Sequence, residues 1–334
     1  ILGYSNPTEE YDNAVVSWMK RRHNFEIEKE WMIQTPGVIN ALSLLIEATT
    51  KPGDGIIIMS PVYYPFDMTV VATSRHIVYC PLINKDGKYE INYALLREKA
   101  GNPKNTALLF SNPHNPIGIT WDRQTLARLA EIAVKHNLIV ISDEIHCDMA
   151  LYGNRHTPFA SVSEEAAQCS ITFSAPSKTF NIAGIVSSYA IVPNPVLREK
   201  FFSWLTANEM DMATIFAMTA TEAAFTKGEE WRQQMLAHIE SNIDFVDEYL
   251  KANIPEVQAI KPQAAYLVWL DFSALGLPHE KLIDMLVNDA RLAMNDGAMF
   301  GIGGEQHTRL NVGTQRAVLE QAMKQLKEAI DKLR

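Results

Sequence analysis

The chain has 334 residues, of which 47% are hydrophobic and 21% charged, and its formal net charge is −9. This composition is typical of a globular protein with a large core, and the length predicts two domains. The acidic balance argues against nucleic acid as a partner, because no basic excess is available to neutralise phosphates. The absence of any run of 18 apolar residues argues against a membrane span.

The N-terminus and the cysteines bear on the location of the protein. Residues 1–4 show no signal peptide and lead directly into a polar helix start. Because the chain begins with Ile rather than Met, we expect that the natural N-terminus lies further upstream. The three cysteines are odd in number and form no CxxC pair, which is typical of free thiols in a reducing cytoplasm.

Short apolar segments alternate with helical patterns through the first two thirds of the chain. Segments rich in Ile, Val and Leu are typical of strands buried on both faces. The predicted strands are Gly55–Ser60, His76–Leu82, Thr106–Asn112, Leu138–Asp143, Ser170–Ser174 and Val186–Val192. Between them, Asp122–His136 has apolar residues at helical spacing behind a capping aspartate. The alternation predicts an α/β fold whose mostly parallel sheet is covered by helices on both faces.

The pattern changes near residue 195. Pro195–Phe225 has the pattern of a nearly continuous helix, and Glu229–Leu250 that of a long amphipathic one. A strand at Ala264–Phe272 and helices at His279–Asp289 and Arg316–Leu333 follow. We therefore predict a large domain over residues 1–227 and a smaller α+β domain over residues 228–334.

Polar residues stand where three neighbouring predicted strands end. Asn115 lies in a turn with two Asn-Pro steps, Asp143 closes the Leu138 strand, and Lys178 lies among small residues after the Ser170 strand. In open parallel sheets, ligands bind at the carboxyl ends of the strands. A lysine that is desolvated there loses its proton more easily and becomes a nucleophile, whereas the alternative is an ordinary solvated loop lysine.

Two further segments extend this predicted site. The Gly55 strand leads to the aromatic residues Tyr63 and Tyr64. Upstream, Gly37 precedes an apolar helix predicted at Ala41–Thr50, and backbone N–H groups at a helix N-terminus bind anions. The segment has no P-loop lysine and no GxGxxG pattern, which disfavours nucleotide binding by those routes.

Together these parts suit pyridoxal 5′-phosphate. A lysine forms a Schiff base with this cofactor, and a carboxylate keeps its ring nitrogen protonated so that the ring acts as an electron sink. An asparagine donates to its phenolic oxygen, an aromatic ring stacks on its pyridine face, and helix N-terminal amides hold its phosphate.

Three motifs carry a resemblance to a known superfamily, namely SNPHNPIG (111–118), SDEIHCD (142–148) and APSKTFNIAG (175–184). In this order and spacing they resemble the fold-type I superfamily of pyridoxal-phosphate enzymes related to aspartate aminotransferase. Within it, the likeness is closest to the MalY/PatB group of cystathionine β-lyases and related C–S lyases, and it covers nearly the whole chain. The resemblance implies a seven-stranded type of central sheet, and it implies that part of the small domain precedes Ile1.

The resemblance also implies roles for individual residues. Lys178 would form the Schiff base and later move the Cα proton, and Asp143 would pair with the pyridine nitrogen. Asn115, with His146 as a further candidate, would reach the phenolic oxygen. Tyr63 would stack on the ring.

The phosphate and the substrate have their own implied partners. Backbone amides of Gly37, Val38 and Ile39 would hold the phosphate, with Ser177 as a further donor. Tyr4 would reach the phosphate of the neighbouring subunit, which implies a homodimer with shared active sites. Arg309 would bind the α-carboxylate of an amino-acid substrate, a task that suits the bidentate and permanently charged guanidinium.

One departure from the superfamily pattern bears on the reaction. Many aminotransferases carry an arginine eight residues after the lysine, where this chain has Val186. The C–S lyase group commonly lacks that arginine too. We therefore expect a lyase that eliminates a thiol from cystathionine or a cysteine-type substrate and yields pyruvate and ammonia. The alternatives are an aminotransferase and, less favoured, a regulatory protein-binding role.

Other interpretations of single residues compete with this one. Glu144, His146 and Asp148 alternate as metal ligands would, but we predict no metal because the cofactor already accounts for the segment. Cys147 as a nucleophile is likewise disfavoured, and His114 is expected to pack rather than to catalyse. Met294, Met299 and Phe300 are expected to pack the small domain, although the loop 295–304 is also placed to approach the substrate.

Overall fold

The fold is that of a computed structural model, which describes Gly3 and residues 5–333. The helices are α1 (Glu9–His23), α2 (Val38–Thr49), α3 (Pro65–Ala72), α4 (Tyr93–Ala100), α5 (Arg123–Lys135), α6 (Glu164–Cys169), α7 (Pro195–Ala207), α8 (Ile215–Lys227), α9 (Glu229–Asn253), α10 (His279–Asp284) and α11 (Arg316–Asp331). The strands are β1 (Met32–Thr35), β2 (Gly55–Ile58), β3 (His76–Tyr79), β4 (Ile83–Lys85), β5 (Lys88–Glu90), β6 (Asn105–Ser111), β7 (Ile139–Asp143), β8 (Ser170–Ser174), β9 (Ser188–Ile191), β10 (Gln258–Ile260), β11 (Leu267–Asp271), β12 (Asn295–Asp296) and β13 (His307–Asn311).

A seven-stranded sheet with the order β1-β9-β8-β7-β6-β2-β3 forms the centre of the fold. The pairings of β3, β2, β6, β7 and β8 are parallel, and β9 runs antiparallel to both of its neighbours. The predicted α/β class with a mostly parallel seven-stranded sheet is thus confirmed. Because the parallel strands share a direction, the segments after β2, β6, β7 and β8 all emerge at one edge of the sheet.

The predicted, nearly continuous helix Pro195–Phe225 is instead two helices, since the chain forms α7 and α8 with residues 208–214 between them. Asn208 ends α7, and Glu209 follows with a left-handed φ of 53° that no helix can continue. Thr214 then starts α8, because its side chain accepts a hydrogen bond from the N–H of Ala217. Composition alone favoured a helix throughout, and these local terminators override it.

Several predicted bounds also shift. Helix α2 begins at Val38 rather than Ala41, and β9 begins at Ser188 because Val186 adopts a left-handed conformation. Strand β11 is shorter than predicted because Ala265 has a φ of 69°. The sequence pattern missed strand β1, the β4–β5 hairpin, and strands β10, β12 and β13.

The C-terminal part of the chain has a sheet of its own, with the order β10-β11-β13-β12 and antiparallel pairing throughout. Residues of α9, α10, α11 and this sheet share one apolar core, to which the larger part contributes Met149 and Leu151. We propose to keep the domain boundary between residues 227 and 228, where α8 gives way to α9 and this separate core begins. No helix in the described part of the chain has the length and apolar character needed to cross a bilayer.

Candidate active site

A cavity of about 440 Å³ opens at the carboxyl edge of the central sheet and extends to the small sheet. It brings together ten of the eleven site residues predicted from the sequence, and the eleventh, Tyr4, lies outside the described residues. The ten are Gly37, Val38, Ile39, Tyr63, Asn115, Asp143, His146, Ser177, Lys178 and Arg309.

Lys178 is held in a compact turn directly after β8. The N–H of Phe180 donates to the carbonyl of Pro176 at 2.9 Å, and that of Ile182 donates to the carbonyl of Ser177 at 3.0 Å. The lysine itself is half-buried and lines the cavity. The alternative of an ordinary solvated loop lysine therefore does not describe its surroundings.

Asp143 ends β7 and is buried in the floor of the cavity. Its Oδ1 accepts a hydrogen bond of 3.1 Å from the N–H of Ile145. Burial raises the pKa of Asp143 from 3.8 to about 7, although the nearby Lys178 acts to lower it. A carboxylate in this position is costly on its own and calls for a cationic partner within the cavity.

Glu144, the residue after Asp143, has a buried side chain that holds this segment in place. Its carboxylate accepts hydrogen bonds from the hydroxyl of Ser142 at 2.8 Å and the N–H of Phe159 at 2.9 Å, and it pairs with His156 at 2.8 Å. Each partner satisfies part of the buried carboxylate, so this network stabilises the end of β7 and with it the position of Asp143.

The N-terminus of α2 faces the cavity and has free N–H groups. Gly37 is not one of them, because its N–H donates to the hydroxyl of Ser188 at 2.9 Å. The first helical N–H groups lack partners within a helix, so Val38, Ile39 and Asn40 are the donors left for an anion. The predicted amide set thus shifts by one residue, with Asn40 in place of Gly37.

Gly37 has a different role at this end of the cavity. Its φ is 89°, a conformation that side-chain-bearing residues rarely adopt. A Cβ at this position would lie 3.4 Å from Cγ1 of Val186. Gly37 and Val186 therefore pack closely where the superfamily pattern would place an arginine.

Arg309 enters the cavity from β13. Its Nη1 donates to Oδ1 of Asn115 at 2.7 Å and its Nη2 to Oδ1 of Asn295 at 2.9 Å, while its Nε is buried with no hydrogen-bond partner in the described chain. Its guanidinium carbon lies 4.9 Å from the ring centroid of Phe300. Burial lowers its pKa, and within the described residues the groups that offset this effect are tyrosines rather than carboxylates. The cation is thus held by neutral groups, and no anion pairs with it among the described residues.

The rings of His146, Tyr266 and Tyr63 also line the cavity. Burial, together with the nearby cations Lys178 and Arg309, lowers the pKa of His146 from 6.5 to about 3, so this imidazole is neutral at pH 7. The ring of Tyr266 lies 6.0 Å from that of His146 in an edge-to-face arrangement. Tyr63 is half-buried, and its N–H donates to the carbonyl of Asn115 at 3.0 Å.

Among the polar or aromatic lining residues that the sequence did not predict, three come from the C-terminal part of the chain, namely Tyr266, Asn295 and Asn311. All three belong to the small sheet or its turns. The sequence places the loop 295–304 near the substrate, and in the structure this loop reaches the cavity through Asn295. For Tyr266 and Asn311, no local signal distinguishes them from other strand residues.

The metal interpretation of the segment after β7 finds no support in the partners that these residues have. Glu144 binds His156, whereas Asp148 accepts hydrogen bonds at its Oδ1 from Trp18 and His23, both at 2.8 Å. In the described part of the chain, one group has the spacing of metal ligands, formed by His23, Cys147 and Asp148. Burial holds the pKa of the Cys147 thiol well above its ordinary value, which disfavours both metal ligation and a nucleophilic role.

The donor set of the cavity fits pyridoxal 5′-phosphate. Asp143 is a buried carboxylate in need of a cation, which a protonated pyridine nitrogen would provide. The free amides of α2 offer a phosphate site, and Lys178 is the amine required for the Schiff base. With Oδ1 of Asn115 bound to Arg309, its Nδ2 is left to donate to an oxygen in the cavity.

Comparisons with known proteins identify the family of the chain. Residues 1–326 match the family model described as aminotransferase class I and II. The chain is 41% identical to the cystathionine β-lyase PatB of Bacillus subtilis over 99% of its own length and 85% of the relative's. The crystal structure of cystalysin from Treponema denticola, which contains pyridoxal 5′-phosphate, superposes with a TM-score of 0.98 at 38% identity, covering 100% of this chain and 85% of cystalysin.

A further solved structure is the pyridoxal-phosphate-bound C–S lyase of Staphylococcus hominis in complex with L-cycloserine. It has a TM-score of 0.92 and 32% identity, covering 99% of this chain and 81% of that one. The predicted resemblance to the MalY/PatB group is confirmed. The chain belongs to the aminotransferase class I and II family of pyridoxal-phosphate-dependent enzymes.

Proposed function

We propose that this chain is a pyridoxal-phosphate-dependent C–S lyase that eliminates a thiol from cystathionine or a related cysteine derivative and yields pyruvate and ammonia. The observation that carries the proposal is the pairing of Lys178 with Arg309 in one cavity. An amine suited to Cα proton transfer thus shares the cavity with a half-buried guanidinium that has no anion among the described residues. An α-amino acid supplies the missing carboxylate.

When bound, the cofactor supplies the electron sink that makes loss of the Cα proton feasible. Lys178 Nζ takes that proton, since it is the amine in the cavity. Asp143 would hold the pyridine nitrogen protonated, and Arg309 would orient the substrate through its α-carboxylate. The Cβ–S bond then breaks to release the thiol, and water hydrolyses the remaining three-carbon enamine to pyruvate and ammonia.

The runner-up function is transamination, which uses the same residues up to the removal of the Cα proton. Val186 in the position of the superfamily's arginine favours the lyase. So does the naming of PatB and the S. hominis protein as lyases. The two reactions diverge in products: a lyase forms pyruvate without a second substrate, whereas an aminotransferase requires a 2-oxo acid.

The deciding experiment incubates the purified protein, loaded with the cofactor, with L-cystathionine and measures pyruvate, ammonia and free thiol. We expect all three in equal amounts without any added 2-oxo acid. The variant Lys178→Ala should lose this activity, whereas Lys104→Ala removes an exposed lysine before β6 and should keep it. Turnover that depends on a 2-oxo acid and forms no pyruvate would replace the lyase with the aminotransferase.

The assembly that we propose is a homodimer with shared active sites, in which Tyr4 reaches the phosphate of the neighbouring subunit. Support comes from the segment 210–216, where Met210, Met212, Ile215 and Phe216 expose apolar side chains. Clusters of this kind typically mark protein interfaces. A cytoplasmic location is also proposed, because the three cysteines are free thiols and a reducing compartment preserves them.

A further inference from the structure

We propose that Asn295 is a specificity-determining residue, which positions Arg309 without neutralising it and so reserves the guanidinium for the α-carboxylate of the substrate. Phe300 supports the same cation from below. The inference rests on the proposed function in taking an α-amino acid as the substrate. It extends that function by assigning the selection of a free α-carboxylate to Asn295 and Phe300, which lie outside the three sequence motifs.

The register of the small sheet brings Asn295 to Arg309. Strand β12 pairs with β13 so that Asn295 is the direct cross-strand partner of Arg309. Side chains of such partners lie on the same face of the sheet, within reach of each other. Here Oδ1 of Asn295 accepts a hydrogen bond of 2.9 Å from Nη2. Asn115 holds Nη1 at 2.7 Å, so the two amides fix the orientation of the guanidinium plane from two sides.

Phe300 forms a rigid base for the guanidinium. Its ring centroid lies 4.9 Å from the guanidinium carbon of Arg309, within the range of a cation–π interaction. The ring is buried and packs edge-to-face against Trp269 at 5.2 Å and Tyr64 at 5.9 Å. The carbonyl of Phe300 also accepts a hydrogen bond of 2.9 Å from the N–H of Val62, which ties this base to the loop after β2.

The side chain of Asn295 is uncharged, which leaves the charge of Arg309 available to the substrate. An aspartate has nearly the same shape, but its carboxylate would pair with Arg309 and compete with the substrate for the same charge. With an amide at this position, the half-buried cation keeps its full charge, and its desolvation is compensated when a carboxylate binds. A ligand that lacks the carboxylate cannot compensate the desolvation of Arg309 and binds more weakly, so the arrangement selects for free α-amino acids.

The test measures ligand binding to the cofactor-loaded protein. L-Alanine has an α-carboxylate and no leaving group, whereas L-alaninamide has a neutral amide in place of that carboxylate. Both are titrated against the wild type and the variants Asn295→Asp, Asn295→Ala and Phe300→Leu, and the visible absorption of the bound cofactor is followed. The matched control is Asn137→Asp, which adds the same charge at an exposed turn before β7.

For Asn295→Asp, we expect the affinity for L-alanine to fall about 10- to 100-fold, because an internal ion pair replaces the one with the ligand. The affinity for L-alaninamide should change less than about threefold, since that ligand does not use the charge of Arg309. Asn295→Ala and Phe300→Leu should lower the affinity for L-alanine about 3- to 10-fold through the lost hydrogen bond or cation–π contact. With cystathionine, the loss in Asn295→Asp should be mainly in KM.

Equal losses for the two ligands in Asn295→Asp would overturn the assignment and leave Asn295 a structural residue of the small sheet. So would a wild type that binds L-alanine and L-alaninamide equally well. If Asn295→Asp does not fold, as judged by its circular dichroism, the ratio of the two affinities in Asn295→Ala decides. The lyase function fails separately: a wild type that prefers L-alanine but forms no pyruvate from cystathionine refutes the lyase and not the role of Asn295.

Discussion

Oδ1 of Asn115 accepts a hydrogen bond of 2.7 Å from Nη1 of Arg309, although the two residues are 194 positions apart in the chain. Asn115 follows β6 of the central sheet, and Arg309 belongs to β13 of the small one. This contact therefore connects the expected cofactor site to the expected substrate site. Because Arg309 already donates to Oδ1 of Asn115, Nδ2 of Asn115 remains as a donor to an oxygen atom of a ligand in the cavity.

The first prediction concerns the guanidinium itself. We expect Arg309→Ala to raise KM for cystathionine by about 100-fold or more, because a charge-assisted bidentate contact to the α-carboxylate is lost. Arg309→Lys should recover only part of this loss. Its ammonium keeps the charge, but it cannot bond Asn115, Asn295 and the substrate with the geometry of a planar fork. Steady-state kinetics on the cofactor-loaded variants measures both effects.

The matched control is Arg316→Ala in the same small domain. Arg316 bonds Oδ1 of Asn242 at 3.0 Å and the hydroxyl of Ser241 at 2.8 Å, away from the cavity lining. Its loss should lower stability without changing KM. If Arg316→Ala raises KM as much as Arg309→Ala does, the substrate carboxylate does not bind at Arg309.

The second prediction uses the pKa of Asp143 in the cofactor-free protein. Burial raises this pKa from 3.8 to about 7, so between these values the folded state binds a proton more tightly than the unfolded state. The contribution of Asp143 to stability is fully present below about pH 4 and is lost as pH rises to about 7, at a slope of at most about 1.4 kcal/mol per pH unit. The amide that replaces the carboxyl group in Asp143→Asn does not titrate, so the variant lacks this loss.

Urea unfolding of the cofactor-free wild type and of Asp143→Asn, at intervals from about pH 4.5 to about pH 8, measures the effect as a difference in which other titrating groups cancel. We expect the variant to gain stability relative to the wild type as pH rises and the gain to level off above about pH 7. A difference that is independent of pH would show that Asp143 keeps an ordinary pKa in the folded protein. Activity of Asp143→Asn should be lost at every pH, because the pyridine nitrogen loses its carboxylate.

The site residues that lie at or just after the ends of apolar strands could be predicted from the sequence. Asp143 ends an apolar strand, and Asn115 and Lys178 lie in the turns that follow two others; parallel strands place such residues at one edge of the sheet. Asn295 could not be found in this way. It meets Arg309 through the register of an antiparallel pair in which β12 has only two residues, too few to show a period.

Backbone conformation explains other differences between the predicted and observed structure. Glu209 and Val186 both have positive φ, and neither residue type signals this in a sequence. At Glu209 the consequence is the break between α7 and α8. At Val186 it is the late start of β9, which leaves the valine in the wall of the cavity beside Gly37.

The third prediction tests the conformation of Val186. A β-branched residue is strained at its φ of 56°, whereas asparagine tolerates this region. We therefore expect Val186→Asn to stabilise the cofactor-free protein by about 1 kcal/mol in urea unfolding. Val196→Asn is the control, because Val196 is also exposed but lies in the first turn of α7 with helical geometry. If the two variants change stability alike, the backbone at Val186 is not strained.

The fourth prediction addresses the proposed dimer through Phe216, whose side chain is 64% exposed at the start of α8. In a two-fold dimer, Phe216→Asp places an unpaired carboxylate in the interface twice, which we expect to weaken association by about 100-fold or more. Light scattering over a range of concentrations measures the dissociation. Val318→Asp adds the same charge at a 53% exposed position on α11 and should remain dimeric.

Activity should follow association if the sites are shared, because a monomer lacks the tyrosine that the neighbouring subunit is expected to supply. The specific activity of Phe216→Asp should therefore rise with protein concentration, while that of Val318→Asp should stay constant. A fully active monomer would contradict shared sites even if the dimer forms. A Phe216→Asp variant that remains a dimer at all concentrations would instead place the interface elsewhere, since a buried unpaired carboxylate at its centre would not be tolerated.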